Sequence, residues 1–220
     1  MKQTKSFTRR LVTAIAVLAA FGTAMTACGD DKSDTASPEV STAASTPDAG
    51  APQRIISLSP THTEILFAIG AGDQVVAVDS MSNFPAESAA VLTDISAYEP
   101  NVEAISGYEP DLVVIGDDFS GLAEQLKAVG IDSWVMSAPT SLDEAYAQIE
   151  DLGAAVGHAD EAAALVDSMT TEIEAIVAGA TVPAEPASYY YELDNTFFTL
   201  TGNTFVGSLF ELFGLRNIAD

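Results

Sequence analysis

RIISLSPTHTEILFAIGAGDQVVAVD, residues 54–79, decides the fold. Arg54-Ile-Ile-Ser-Leu58 is a short apolar run halted by Ser59-Pro60, and it reads as a strand. Thr61-His-Thr-Glu64 matches the T-x-x-E capping box and opens a helix over 64–69 that Gly70 stops. Gln74-Val-Val-Ala-Val-Asp79 is a second strand. Strand, helix and strand in succession imply parallel pairing, and near-continuous apolar strands imply a sheet covered on both faces. The pattern continues downstream. Leu112-Val-Val-Ile115 is a third strand, 121–129 a helix ended by Gly130, and 131–136 a fourth strand. Ser141-Leu-Asp-Glu144 is another capping box and opens a helix to about Val156.

From about Asp160 the pattern changes. Residues 161–178 contain neither Pro nor Gly, and Val166, Met169, Ile173, Ile176 and Val177 recur at helical spacing, so one long helix is expected. Residues 179–186 read as a linker, 188–193 as a strand, 197–201 as a short extended piece and 204–213 as a helix ended by Gly214. One strand, a short extended piece and one helix cannot close a sheet, so a second lobe is expected to be incomplete within this chain.

The N-terminus has a different character. Residues 1–27 join a basic start (Lys2, Lys5, Arg9, Arg10) to a short apolar run and small residues, the pattern of a secretory signal. Cys28 is the single cysteine and follows Met25-Thr26-Ala27. That placement resembles a bacterial lipobox with Met in place of the usual Leu, which makes Cys28 a lipidation candidate. Residues 28–52 are rich in Ser, Thr, Ala, Pro and Asp and are expected to form a disordered tether. The formal net charge of the chain is −24, and beyond Cys28 the basic residues are Lys32, Arg54, Lys127 and Arg216. Such a chain repels nucleic acid and anionic headgroups.

Residues 54–79, PNVEAISGYEPDLVVIG (100–116) and YYELDNTFFTLTGNTFVGSLFELFGLRNIAD (190–220) together resemble the substrate-binding lipoproteins of ABC importers, in the class that captures cobalamin, haem and ferric siderophores. The resemblance implies an α/β fold of two lobes with mostly parallel sheets, joined by one long rigid helix. Its divisions would be a signal over 1–27, a tether over 28–52, an N-terminal lobe over 53–157, the helix over 158–180 and the start of a second lobe over 181–220. It implies a monomer, lipid-anchored on the outer face of the cytoplasmic membrane. That monomer would hand a metal chelate to a permease and its ATPase, with no cofactor of its own. Glu103, in the turn over 101–106, occupies the place where the family pairs an acid with permease arginines; the alternative is a carboxylate that solvates a helix.

Ligand would lie between the lobes on loops at strand ends. The candidates are Ser59, Pro60, Thr61 and His62, then Met81, Asn83 and Phe84, then Tyr98, then Asp117 and Phe119, with Asn195 and Phe197 from the second lobe. Flat chelates want aromatic and thioether faces plus a few polar anchors; for each single aromatic, core packing is the alternative. His62 reads as a helix-start or ligand-periphery histidine in preference to a metal ligand, because one His fixes no metal site. His158, after a Gly at a helix junction, is expected to be exposed. Neither Arg54 nor Arg216 falls on a cleft loop, which favours a neutral or cationic ligand. An enzyme, or a sensor or adhesin lobe on the same fold, is the alternative function; against the enzyme, no G-x-S-x-G, P-loop or metal-spaced His cluster is present.

Overall fold

The computed structural model describes residues 50–182 and 185–220; the signal, Cys28 and nearly all of the tether lie outside them. Strands β1 (Ile55–Leu58), β2 (Val75–Val78), β3 (Leu112–Ile115) and β4 (Asp132–Val135) form one sheet in the order β2-β1-β3-β4, and all three pairings are parallel. Helices α1 (Pro60–Ala68), α2 (Val102–Ser106), α3 (Leu122–Ala128) and α4 (Leu142–Val156) fill the connections. β1 and β3 are buried at every position, so alternate residues feed opposite faces. Ile55, Leu112 and Val114 pack with Leu66, Ile149 and Leu152. Ile56, Val113 and Ile115 pack with Ile105, Leu122 and Leu126. Each such side chain, fully buried, contributes roughly 1.5–3 kcal/mol.

The helix starts show where local chemistry wins. α1 begins one turn before the expected Glu64, because Pro60 suits the first helical position and Ser59 is the N-cap, accepting from the His62 amide at 3.5 Å. The capping box at Ser141 forms in part. Ser141 Oγ accepts from the Glu144 amide at 3.2 Å, but the Glu144 carboxylate reaches back to Thr140, whose amide and hydroxyl both donate at 2.6 Å. Those two bonds hold the Glu144 carboxyl below its ordinary pKa.

Helix α5 (Ala159–Gly179) is the long helix the periodicity predicts. Leu165, Val166 and Met169 on its first half pack on the first sheet's core, whereas Ile176 further along is exposed. His158, expected to be exposed, is instead 4% exposed. It sits in the tight α4–α5 junction, where its Nε2 lies 3.1 Å from Gln74 Oε1, while Gln74 Nε2 donates to Val156 O at 3.1 Å. The histidine thus ties the junction to the turn before β2, a long-range contact that no local pattern announces.

Beyond the linker the extended segments are shorter than expected. β5 (Ser188–Tyr189) pairs in parallel with β6 (Arg216–Asn217), and α6 (Phe205–Glu211) connects them. The extended piece near Phe197 reduces to one antiparallel bridge between Glu192 and Thr199. Phe210 of α6 stacks on Tyr189 at 4.3 Å, so this strand's ring is covered from one side. β6 lies in Leu215-Arg-Asn-Ile218, too short and mixed to be legible as a strand. Among the described residues no helix is long and apolar enough to cross a membrane.

The α4–α5 junction depends on a missing side chain. A Cβ at Gly153 would overlap the Ala162 Cβ and lie 2.9 Å from His158 O. Gly153→Ala should therefore destabilise the chain by about 1–3 kcal/mol despite alanine's better helix propensity, read as a lower urea midpoint. An unchanged midpoint would show that the crossing yields freely.

Candidate ligand cleft

Parallel strands deliver their following loops to one edge of the sheet, and that edge carries the site. A cleft of about 300 Å³ opens there, lined from the ends of all four strands: Leu58 to His62 after β1, Asp79 and Met81 after β2, Ile115 to Asp117 and Phe119 after β3, and Met136, Ala138 and Pro139 after β4. Ser59, Pro60, Thr61, His62, Met81, Tyr98, Asp117 and Phe119 come together as the sequence predicts. Met81, Tyr98 and Phe119 are 61%, 83% and 88% exposed, so these large faces serve no core and are free to meet a flat partner.

The other expected residues stand apart. Met81 and Phe84 diverge because Asp79 Oδ1 accepts from the Met81 and Ser82 amides at 3.2 and 2.9 Å, which fixes a sharp turn. Past that turn Phe84, with Ile65, Phe67, Leu165 and Met169, lines an apolar groove outside the cleft. Asn83 is exposed and lines neither cavity. Asn195 and Phe197 occupy a turn whose ends are joined by the Leu193 amide donating to Phe198 O, and neither reaches the cleft lining. Glu103 is exposed in the first turn of α2 and also lies outside the lining.

Residues missed by sequence reading also line the cleft: Asp79, Ala97, Met136, Ala138, Pro139 and Gln148. The segment from Met136 to Pro139 was legible in principle, since it follows the fourth strand just as the other loops follow theirs. Gln148 lies in the interior of α4, donates to Ser137 O at 2.8 Å and has no local signature. Hydroxyls join two of the loops: Thr63 Oγ1 donates to an oxygen of either Ser57 (2.8 Å) or Ser82 (3.1 Å), all three groups being fully buried.

His62 is 3% exposed, its ring edge-on to Trp134 at 4.9 Å and its Nδ1 without a hydrogen-bond partner. Burial lowers its pKa from the ordinary 6.5, and an interaction with the Gln148 side chain opposes that in part. Among the described residues no group of three His, Cys, Asp or Glu side chains is arranged to hold a metal ion.

A covered parallel sheet with an aromatic-rimmed cleft at its C-terminal edge is the open α/β architecture in which ligands, where bound, sit at that edge. Residues 55–220 match the family profile described as periplasmic binding protein, and the chain belongs to that family. It is 31% identical over 176 residues to the uncharacterized ABC transporter substrate-binding lipoprotein YvrC of Bacillus subtilis, an alignment covering 76% of this chain and 56% of that one. It is 31% identical over 188 residues to a cobalamin-binding protein of Halobacterium salinarum, covering 83% of this chain and 50% of that one. Among solved structures, the periplasmic vitamin B12 binding protein BtuF of Vibrio cholerae superposes with a TM-score of 0.60 at 27% identity, over 76% of this chain and 66% of that one. The chain thus spans about half the length of these two curated relatives.

The His62 shift has a stability consequence. Its folded pKa lies below the unfolded value, so the unfolded chain takes up the proton first as pH falls, and stability is lost below about 6.5, by up to about 1.4 kcal/mol per pH unit. The urea midpoint should drop between pH 7.5 and 5.5, and His62→Gln should flatten that drop. An identical slope in the variant would assign it to other groups.

Proposed function

We propose that the protein is an extracytoplasmic solute-binding protein that captures a metal chelate of the cobalamin, haem or ferric-siderophore kind and delivers it to an ABC importer, doing no chemistry itself. The observation that carries this reading is the cleft. Three exposed faces, from Met81, Tyr98 and Phe119, stand around polar groups at the C-terminal edge of a parallel sheet. That arrangement suits a flat, partly apolar ligand. The family, and relatives named for substrate binding and cobalamin binding, support it. The ligand contacts we assign are the expected residues gathered in the cleft. Cys28 is the proposed lipid anchor, the residues around it the signal and tether, and 158–180 the connector between lobes.

Glu103 is the proposed docking acid. Its backbone sits in a capped turn, since Asn101 Oδ1 accepts from the Ala104 amide at 3.0 Å. α2 leads within a few residues into the buried β3, so the charge is presented from a rigid base. Charge on such a base orients an encounter with a basic permease surface.

Trp134 is the single tryptophan, and its ring touches the cleft residue His62, so its fluorescence reports ligand entry. Titration with cyanocobalamin, haemin and a ferric hydroxamate should give saturable binding of at least one probe at one site per chain, without product. Turnover of the bound probe would instead favour an enzyme. Phe119→Ala should weaken binding about tenfold by removing an apolar face. Glu103→Ala should leave the affinity unchanged and lower uptake in a transport assay with the permease. Lost affinity with normal uptake per bound ligand would remove Glu103 from docking.

A further inference from the structure

A second concave surface lies outside the cleft. It is the apolar groove of about 600 Å³ lined by Ile65 and Phe67 of α1, Phe84 of the loop after β2, and Leu165 and Met169 of α5. The row on α5 continues past the groove. Ile173 and Ile176 follow Met169 at spacings of four and three, so they extend the same helix face. From Leu165 to Ile176 that face runs roughly 16 Å, about three helical turns. Phe84 and Ile176 are each 62% exposed. Single exposed apolar side chains are ordinary, whereas a continuous trough of them marks a contact surface.

The charged groups at the edges of this trough are acids. Glu64 and Glu87 belong to the groove lining and are exposed. Glu172 is exposed at the margin of the α5 row, its carboxylate accepting from the Ser168 hydroxyl at 3.0 Å. No Lys or Arg lines the groove. Lys127 belongs to α3, which packs with the core on the other face of the sheet, and the Arg54 guanidinium donates to the Tyr108 and Glu109 carbonyls.

These edges discriminate between occupants. A second copy of the chain would bring the same acids and a formal net charge of −24 against them. An anionic lipid surface meets the same repulsion. A helix with one apolar face and Lys or Arg along its margins meets an apolar floor and opposite charge together, which is the helix-in-groove mode of recognition. We propose that this trough docks an amphipathic helix of a protein partner, apolar on its inner face and basic at its edges. The groove shares no lining residue with the cleft, so the inference stands apart from the capture reading.

The test uses the whole chain and three synthetic peptides of about 18 residues, long enough to hold a helix. One carries leucines at helical spacing with lysines at the margins. Another has the same leucines with glutamates. The third scrambles the lysine peptide so that no apolar face forms. Binding is read as fluorescence anisotropy of the labelled peptide. The lysine-edged helix should bind at one site per chain, at least about tenfold tighter than either other peptide. Phe84→Ser and Ile176→Gln, both at exposed positions on which the core does not depend, should each weaken it about tenfold. Glu64→Gln with Glu87→Gln should narrow the gap between the lysine and glutamate helices. Absence of binding, or equal binding of the scrambled peptide, overturns the proposal, the latter by showing diffuse attraction to an acidic chain. Indifference to both Phe84→Ser and Ile176→Gln removes the trough as the docking place. Self-association that Phe84→Ser abolishes, or binding to phosphatidylcholine vesicles in place of the peptides, gives the trough to a second copy or to a lipid surface and likewise overturns it.

Discussion

The parallel pairing of β1 with β3 is the constraint on which the rest of the molecule depends. Ile55, Ile56, Ser57 and Leu58 face Leu112, Val113, Val114 and Ile115 in unbroken register, and both strands are wholly buried. A slip of one residue would exchange the side chains feeding the two cores. Asp111, just before β3, guards the start of that register: its carboxylate accepts from the Gln53 and Arg54 amides at 2.8 and 2.9 Å, at the point where β1 begins. Because the two strands run the same way, the loops after Leu58 and after Ile115 emerge together. The cleft therefore follows from the register.

Polar groups take over where the strands stop. Ser57, Thr63 and Ser82 form a buried hydroxyl cluster spanning β1, α1 and the loop after β2, and Ser88 Oγ donates to Ser82 O at 3.1 Å. Apolar packing alone would leave these loops loosely specified, whereas directional bonds in a dry setting specify one arrangement. Asp79 belongs to this layer through Oδ1, which accepts from the Met81 and Ser82 amides and so shapes the Met81 loop from beneath the cleft.

Much of this was legible in the sequence, for identifiable reasons. Three of the four strands in the first sheet are short apolar runs, the fourth is a mixed run between Gly130 and Ser137 that follows a helix, and α5 keeps its periodicity without a breaker, so their existence and order follow from pattern alone. The loops after β1 and β3 were legible as site because parallel sheets bind at that edge. Phe84 was not separable from Met81, since the turn between them depends on the Asp79 side chain bonding forward to Met81 and Ser82. His158 was misread for a related reason. Its burial comes from Gln74, far away in sequence, and local composition around a Gly junction carries no trace of that contact. β6 was hidden because a strand of two residues has no periodicity to detect.

The charge of the chain and the chemistry of the cleft act on a ligand at different ranges. A net charge of −24 sets up a field that disfavours anionic chelates during approach, and salt at physiological strength damps it within about 8 Å. Contacts inside the cleft act at short range, where water is displaced and screening is weak. Composition alone therefore does not assign specificity: exposed acids such as Glu103 or Asp143 bear on how often a charged solute arrives, while the groups that line the cleft bear on whether it stays.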